Sequence, residues 1–451
     1  MQKYAPGSTL SKMEQVPIRS ESGDSSDRGS ASIVVPQAKA ILRPGSQPGN
    51  RSEVAGPFSK AQLGPVSLRN RFIKAATFEG LTPQHLVSNE LIDFHTCFAA
   101  GGVALTTVAY CAVSAQGCGT PNEIIITPDC VEGFGRLAQA VHSQDSKLSV
   151  QIGHAGAVAA ATGHRGRSPS PIFSPLAMRR TSPLAADEIR QVAQQFAVAT
   201  KILRDSQVDA IEVHLGHGYL ISEFLSPKLN RRKDEWGGTL ENRARLARQV
   251  LDSVRNAAGG DMAVIGKLNM TDGVPDGFWI DESVKVATMF ESDGSLDALE
   301  LTAGSSLENP MFLFRGEPPI REMAAAFRQP MRAGLRLVGH RFLHNYPFEE
   351  AYLLPLARQF REVLTIPLIL LGGITRMDTV TMAMNEGFEF VAIGRALLRE
   401  PDLINKFERA ESTSSLCIHC NKCMPTIYKG THCVLVEQGQ RPGVRLRMNR
   451  N

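Results

Sequence analysis

The sequence has no apolar run approaching the ~20 residues that a membrane-crossing helix needs, which argues against a helical membrane protein. It has no block of like charge and no basic patch interleaved with aromatics, and its formal net charge is only +4 over 451 residues. Neither nucleic acid nor an anionic membrane surface has an electrostatic case as a partner. Met1 to Ser20 lacks the apolar core of a secretory signal, and its mix of Glu, Pro and Gly does not suit a mitochondrial transit peptide. A cytoplasmic location is the expectation. Residues 1–50 are rich in Ser, Gly, Pro and Gln and poor in large apolar side chains. Burial there cannot offset the entropy of ordering, so a flexible, disordered extension is expected.

What the chain does have is an ordinary globular composition, 43% apolar and 21% charged. It also has a beat. Eight short apolar runs recur: Arg71–Thr77, Val103–Tyr110, Lys147–Ile152, Ala210–His214, Ala263–Asn269, Leu296–Thr302, Pro367–Leu371 and Phe390–Gly394. They are near-continuously apolar, as expected of parallel strands covered on both faces. Helical periods lie between them. Ile189, Val192, Phe196, Ala199 and Leu203 form one apolar stripe; Leu240, Ala244, Ala247, Leu251 and Val254 form another. Asp281 reads as the cap of a helix over Glu282–Phe290, Thr375 with Asp378 as a capping box, and Gly259–Gly260 as a helix stop. Eight strand–helix beats predict an α/β fold, a (β/α)8 TIM barrel over residues 51–410. Two stretches break the beat, Ala155–Ala186 and Ala303–Pro347. Both fall where strand-to-helix loops rise over the C-terminal end of the barrel, the end that carries active sites in this fold.

Chemistry is concentrated at strand ends. Strand seven leads into Gly372-Gly373-Ile374-Thr375, and strand eight into Gly394-Arg395-Ala396. Glycines there let backbone approach a ligand, the following helices offer free N–H groups, and Arg395 adds a fork for phosphate. The two loops converge in this fold, so a phosphate site is predicted. The cysteines fall into two groups. Cys97, Cys111, Cys118 and Cys130 sit in apolar segments and read as buried free thiols. Cys417, Cys420, Cys423 and Cys433 cluster in a C-terminal segment, 411–451, with the spacing of metal-binding thiolates.

Three longer stretches point to a family. They are Leu68–Gly80, Ser149–Gly156 with Gln151, and Val208–Pro227 with the downstream Asn230–Arg243. In that order they resemble the old yellow enzyme family of FMN oxidoreductases, over roughly residues 55 to 435. The resemblance implies an FMN-binding barrel that takes hydride from NAD(P)H and hands it to an activated alkene or a related electron-poor small molecule. Ala75, Ala76, Thr77 and Ala109 would lie against the flavin. Gln151 would bond its pyrimidine edge, and Lys267 would stand where the family usually has Arg. Gly372, Gly373, Gly394 and Arg395 would hold the phosphate. His214 and His217 would polarise the acceptor and Tyr219 would donate the proton. Phe78 departs from the pattern, because the family often has a small polar residue there.

The cysteine segment resembles the iron–sulfur segment of the 2,4-dienoyl-CoA reductase branch, with shorter gaps. A [4Fe–4S] cluster, a zinc site and a set of free thiols all stay open. The branch's additional cofactor domains are not expected in a chain that runs to Asn451. Two other functions stay open as well. One is a phosphosugar-type isomerase or aldolase using Lys267 as a Schiff-base lysine; the other is a non-catalytic FMN-binding protein. A homo-oligomer would suit the fold.

Overall fold

The structure is a computed structural model and describes residues 55–159, 165–174 and 178–443. The expectation for residues 1–50 lies outside the described residues. Eight strands form the barrel: β1 (Phe72–Lys74), β2 (Leu105–Ala112), β3 (Lys147–Gly153), β4 (Ala210–Leu215), β5 (Ala263–Asn269), β6 (Ala298–Thr302), β7 (Leu368–Leu371) and β8 (Phe390–Ile393). All pair in parallel and in chain order. The ring closes where Val391 pairs with Phe72 on one side of β1 and Ile73 with Leu105 on the other.

The apolar runs are continuous because both faces of each strand are covered. Ile73, Leu105, Ala210, Ile265, Ala298, Ile369 and Phe390 meet inside the barrel, while Phe72, Val108, Val150, Val213 and Leu370 face the surrounding helices. The lower end of the interior is filled by an antiparallel hairpin, Ala61–Leu63 with Val66–Leu68, that the sequence reading did not anticipate. Its apolar residues alternate with exposed ones, and Leu63, Val66 and Leu68 join the interior cluster. Glu389, to which the sequence attached no role, pairs with Arg71 beside this floor.

Between the strands lie α1 (Asn89–Ala100), α2 (Cys130–His142), α3 (Ala186–Asp205), α4 (Leu240–Ala258), α5 (Ile280–Asp293), α6 (Leu354–Arg361), α7 (Met377–Asn385) and the short α8 (Arg395–Arg399). The predicted stripe on α3 is fully buried. Gly259 ends α4 at φ +69°, a conformation glycine adopts without strain. Two predicted caps are wrong. The α5 helix begins earlier, capped at Trp279, so Asp281 sits inside the first turn, where its charge meets the helix dipole. At α7 the cap residue is Arg376, and the Thr375 hydroxyl donates instead to Glu350 Oε2 at 2.6 Å. That partner lies 25 residues away, beyond the reach of a local pattern.

The insertion after β6 folds into short helices at Met311–Phe314, Ile320–Ala326 and Met331–Val338. Leu313 and Phe314 meet residues from the ends of several strands around one cleft. Among the described residues no helix is long and apolar enough to cross a membrane.

Candidate active site

Side chains two apart on a strand share a face. That places Ala210, Glu212 and His214 on the inner face of β4. Register then sets Glu212 beside Gln151, His214 beside Lys267, and Lys267 beside Glu300. The Lys267 Nζ lies 2.6 Å from Glu300 Oε1 and 3.5 Å from Glu212 Oε1. Gln151 Nε2 donates to Glu212 Oε1 at 2.5 Å. All four are buried, and Glu212 Oε2 and Glu300 Oε2 have no hydrogen-bond partner. Two carboxyl groups therefore share one ammonium in a low-dielectric interior. Burial, and then the neighbouring Glu300, push Glu212 up to about 8. Burial opposes the charge on Lys267, but Glu212 and Glu300 outweigh it and hold its pKa above the ordinary lysine value.

This pairing has a pH consequence. Glu212 keeps its proton in the fold where the unfolded chain has released it. Between the ordinary value of 4.5 and about 8 the folded state binds more protons, so its contribution to stability falls as pH rises through that window. Glu212→Gln is expected to flatten this part of the profile of thermal midpoint against pH. Identical slopes for variant and parent would remove Glu212 as the cause.

Above this polar layer stand the predicted catalytic residues. His214 ends β4 on the inner face, and its ring lies 4.9 Å from His217 and 4.6 Å from Tyr219, centroid to centroid. The Gly216 N–H donates to His214 Nδ1 at 3.3 Å, which leaves the His214 proton on Nε2. That proton points to His217 Nδ1, also at 3.3 Å. His217 in turn carries its proton on Nε2, 2.8 Å from Thr302 Oγ1. Burial, followed by the nearby His217 and Lys267 charges, holds His214 well below the usual histidine range. Burial and Lys267 push His217 down to about 3. Both rings are neutral donors at ordinary pH. Burial and the Glu123 carboxylate push the Tyr219 phenol above its usual value, so it stays protonated.

The cleft itself holds about 690 Å³ of empty space open to solvent, and the predicted Ala75, Ala76, Thr77, His217, Lys267, Gly372, Gly373, Gly394 and Arg395 all line it. Gly372 and Gly373 have φ of +108° and +71°. A Cβ at either would lie 2.6 Å from a side-chain atom of Leu353 or Tyr352, so glycine is required at both. A Cβ at Gly394 would meet nothing within 4 Å, so its backbone faces open space. The helix α8 behind it is only five residues long, which leaves most of any grip on an anion to Arg395. The Arg395 guanidinium donates to the carbonyl of Arg315 at 3.1 Å, to the Tyr352 hydroxyl at 3.4 Å and to Asn421 Oδ1. These acceptors are all neutral, so its charge is not cancelled by a carboxylate at ion-pair distance among the described residues. A flat strip of small residues with an unneutralised arginine at one end fits the ring and phosphate of FMN.

The other predicted residues, Ala109, Gln151, His214 and Tyr219, are not among those that line the cleft; His214 meets it through His217, and Tyr219 through His214. Gln151 reaches the cleft through Glu212 and Lys267. Ala109 packs with Ala76, Tyr110 and Tyr219, where the β2 register shifts between Val108 and Cys111. Glu79 takes both of its backbone groups: it accepts from the Ala109 N–H at 3.1 Å and donates its own N–H to the Ala109 carbonyl. That leaves Ala109 only packing contact to offer. Sequence reasoning missed Tyr352, His419, Leu313 and Phe314 in the lining. It also missed Glu212, Glu300 and Thr302, although the two-residue period from His214 and along β6 would have found them.

Cys417, Cys420, Cys423 and Cys433 line one small adjoining cavity, together with Arg395 and His419, which also line the main cleft. Among the described residues no cysteine forms a disulfide; Cys111, Cys118 and Cys130 are buried as expected, while Cys97 is only half-buried. Burial pushes Cys423 up to about 12. Among the described residues no group of three or more His, Cys, Asp or Glu closes to metal-holding distance. The fold gathers the four thiols without closing them on a centre.

A closed parallel barrel with this mouth defines a class, the (β/α)8 oxidoreductases that carry a flavin at the C-terminal ends of their strands. Within it, residues 58–304 match the model of the NADH:flavin oxidoreductase / NADH oxidase family, and the chain belongs to that family. It is 50% identical over 380 residues, 84% of this chain and 94% of the relative, to a 4,4'-dithiodibutanoate disulfide reductase of Rhodococcus erythropolis. It is 30% identical over 374 residues to an NADH oxidase of Thermoanaerobacter brockii, of which it spans only 52%. The old yellow enzyme homologue of Zymomonas mobilis has the same fold, with a TM-score of 0.63 at 21% identity, covering 81% of this chain and 96% of that one. The protein is an NAD(P)H:flavin oxidoreductase with FMN as cofactor. A Schiff-base lysine must lose its proton; Lys267 instead holds one against two carboxylates, which sets aside the aldolase reading.

Proposed function

We propose that the protein reduces an activated alkene at the expense of NAD(P)H, with Tyr219 as the proton donor. The observation that carries this reading is the cluster of His214, His217 and Tyr219, two neutral imidazoles and a neutral phenol above a buried lysine. FMN, when bound, supplies the carrier that takes two electrons from the nicotinamide and gives them to the acceptor. Ala75, Ala76, Thr77 and Ala109 would pack against its ring. Gln151 and Lys267 would serve its pyrimidine side, and Gly372, Gly373, Gly394 and Arg395 would hold its phosphate. When the acceptor enters, His214 and His217 exchange their hydrogen bonds to each other and to Thr302 for its carbonyl oxygen and stabilise the charge that grows there. Tyr219 gives its hydroxyl proton to the α carbon.

A second reading replaces the alkene with an organic disulfide. The 50% identity to a 4,4'-dithiodibutanoate disulfide reductase favours it. The S–S bond would break, and two electrons with two protons would yield two thiols. The same neutral donors would then serve sulfur in place of carbon.

Anaerobic titration of the purified protein with NAD(P)H, followed by reoxidation with cyclohexenone or dithiodibutanoate, tests both. A yellow protein that bleaches and is reoxidised by the enone supports the first reading, and reoxidation by the disulfide alone supports the second. A colourless protein that takes up no FMN overturns both. Iron and zinc analysis of the same anaerobic sample decides among the cluster, the zinc site and the free thiols at Cys417, Cys420, Cys423 and Cys433.

A further inference from the structure

We propose that Arg315 is an anion-binding subsite at the barrel mouth, taking a carboxylate or phosphate group of an incoming ligand. Arg315 follows the short helix Met311–Phe314 in the insertion after β6. The two residues before it, Leu313 and Phe314, line the cleft. Its guanidinium carbon lies 4.6 Å from the ring centres of both Phe312 and Tyr346 and 5.7 Å from that of Tyr352, and Tyr352 is itself a lining residue.

The backbone at this point is pinned. The Arg315 carbonyl accepts from Arg395 Nη1 at 3.1 Å and from Asn421 Nδ2 at 2.9 Å. The next N–H, of Gly316, donates to the Tyr346 carbonyl at 2.6 Å. Arg315 has φ +46°, a region that a non-glycine residue enters only when its surroundings hold it there.

The guanidinium, by contrast, is unsatisfied. Its Nε is buried with no hydrogen-bond partner. Among the described residues none of its N–H groups finds an acceptor and no carboxylate stands at ion-pair distance. Arginines elsewhere on the barrel are matched: Arg243 with Glu282, Arg248 with Asp293, Arg255 with Asp297. Aromatic faces attract a cation only weakly, and they fill none of its five donors. A planar fork held by aromatic rings, with its donors free, suits an oxyanion.

Three oxyanions can enter this mouth: the FMN phosphate, the phosphates of the nicotinamide dinucleotide, and a carboxylate on the acceptor. The last rests on the disulfide reading; the first two do not. Arg315→Met and Arg315→Lys test the proposal. Three quantities are measured: the dissociation constant of FMN from the apoprotein, those of NADH and NADPH from the oxidised holoprotein, and KM for dithiodibutanoate against its neutral diamide. A charge-assisted contact of this kind implies a weakening of about 10- to 100-fold for one anionic ligand in the Met variant. The Lys variant is expected to recover part of it, and the neutral diamide to be unaffected. Which ligand is weakened identifies the source. The proposal is overturned if all the constants stay within about twofold of the parent, or if the charged and neutral acceptors weaken alike. Should neither an enone nor a disulfide be turned over, the proposed function fails while the FMN and dinucleotide constants still judge Arg315.

Discussion

Tyr219→Phe is expected to slow reoxidation of the reduced protein by an activated alkene by about a hundred- to ten-thousand-fold, the usual contribution of a positioned general acid. Reduction by NAD(P)H in the same variant is expected to keep its rate, because that half-reaction needs no proton at carbon. The structure offers no ready substitute. The Tyr110 ring is 5.1 Å from that of Tyr219, but its hydroxyl is committed to the Gly117 carbonyl at 3.2 Å. The imidazoles are neutral and engaged with each other and with Thr302. A disulfide acceptor would respond differently, since a departing thiolate needs far less help than a carbon centre. Stopped-flow measurement of both half-reactions separates the cases. Equal slowing of both would mean that Tyr219 shapes the pocket and does not donate the proton.

The second large effect concerns stability. Lys267→Met removes the ammonium shared by Glu212 and Glu300 and leaves a buried pair of carboxyl groups with no cation. Breaking one side of a buried ion pair typically costs about 3–5 kcal/mol. The variant is expected to lose stability of that order in denaturant titration at neutral pH. The double variant Lys267→Met with Glu300→Gln is expected to be closer to the parent than the single one, because it leaves less buried charge without a partner. If the single variant unfolds at the same denaturant concentration as the parent at neutral pH, the triad contributes nothing to the fold.

All eight strands were legible, because a parallel strand covered on both faces must be apolar along its whole length. Their edges were less so: β1 stops at Lys74, β2 runs on to Ala112, and β6 begins at Ala298. The two caps at Asp281 and Thr375 failed because cap choice depends on how the chain arrives at the helix and on partners far along it. The floor hairpin has only three residues per strand, too few for periodicity to register. At the mouth, the glycines, Arg395, His214, His217 and Tyr219 could be named from short motifs. Glu212 and Glu300 were passed over because each looks, in the sequence, like one more surface carboxylate; only the strand register turns both toward Lys267. Arg315 was hidden for the opposite reason. Nothing in its neighbourhood of the sequence brings Tyr346 and Tyr352 to its side, and that box exists only once the insertion has folded back.

The hairpin beneath the barrel has an implication for how such a protein can change. The side chains that stopper the lower opening, Leu63, Val66 and Leu68, are separate from those that surround the cleft. The stability that this stopper contributes is therefore written apart from acceptor preference. Selection, or an engineer, can tighten the stopper without touching what the mouth accepts.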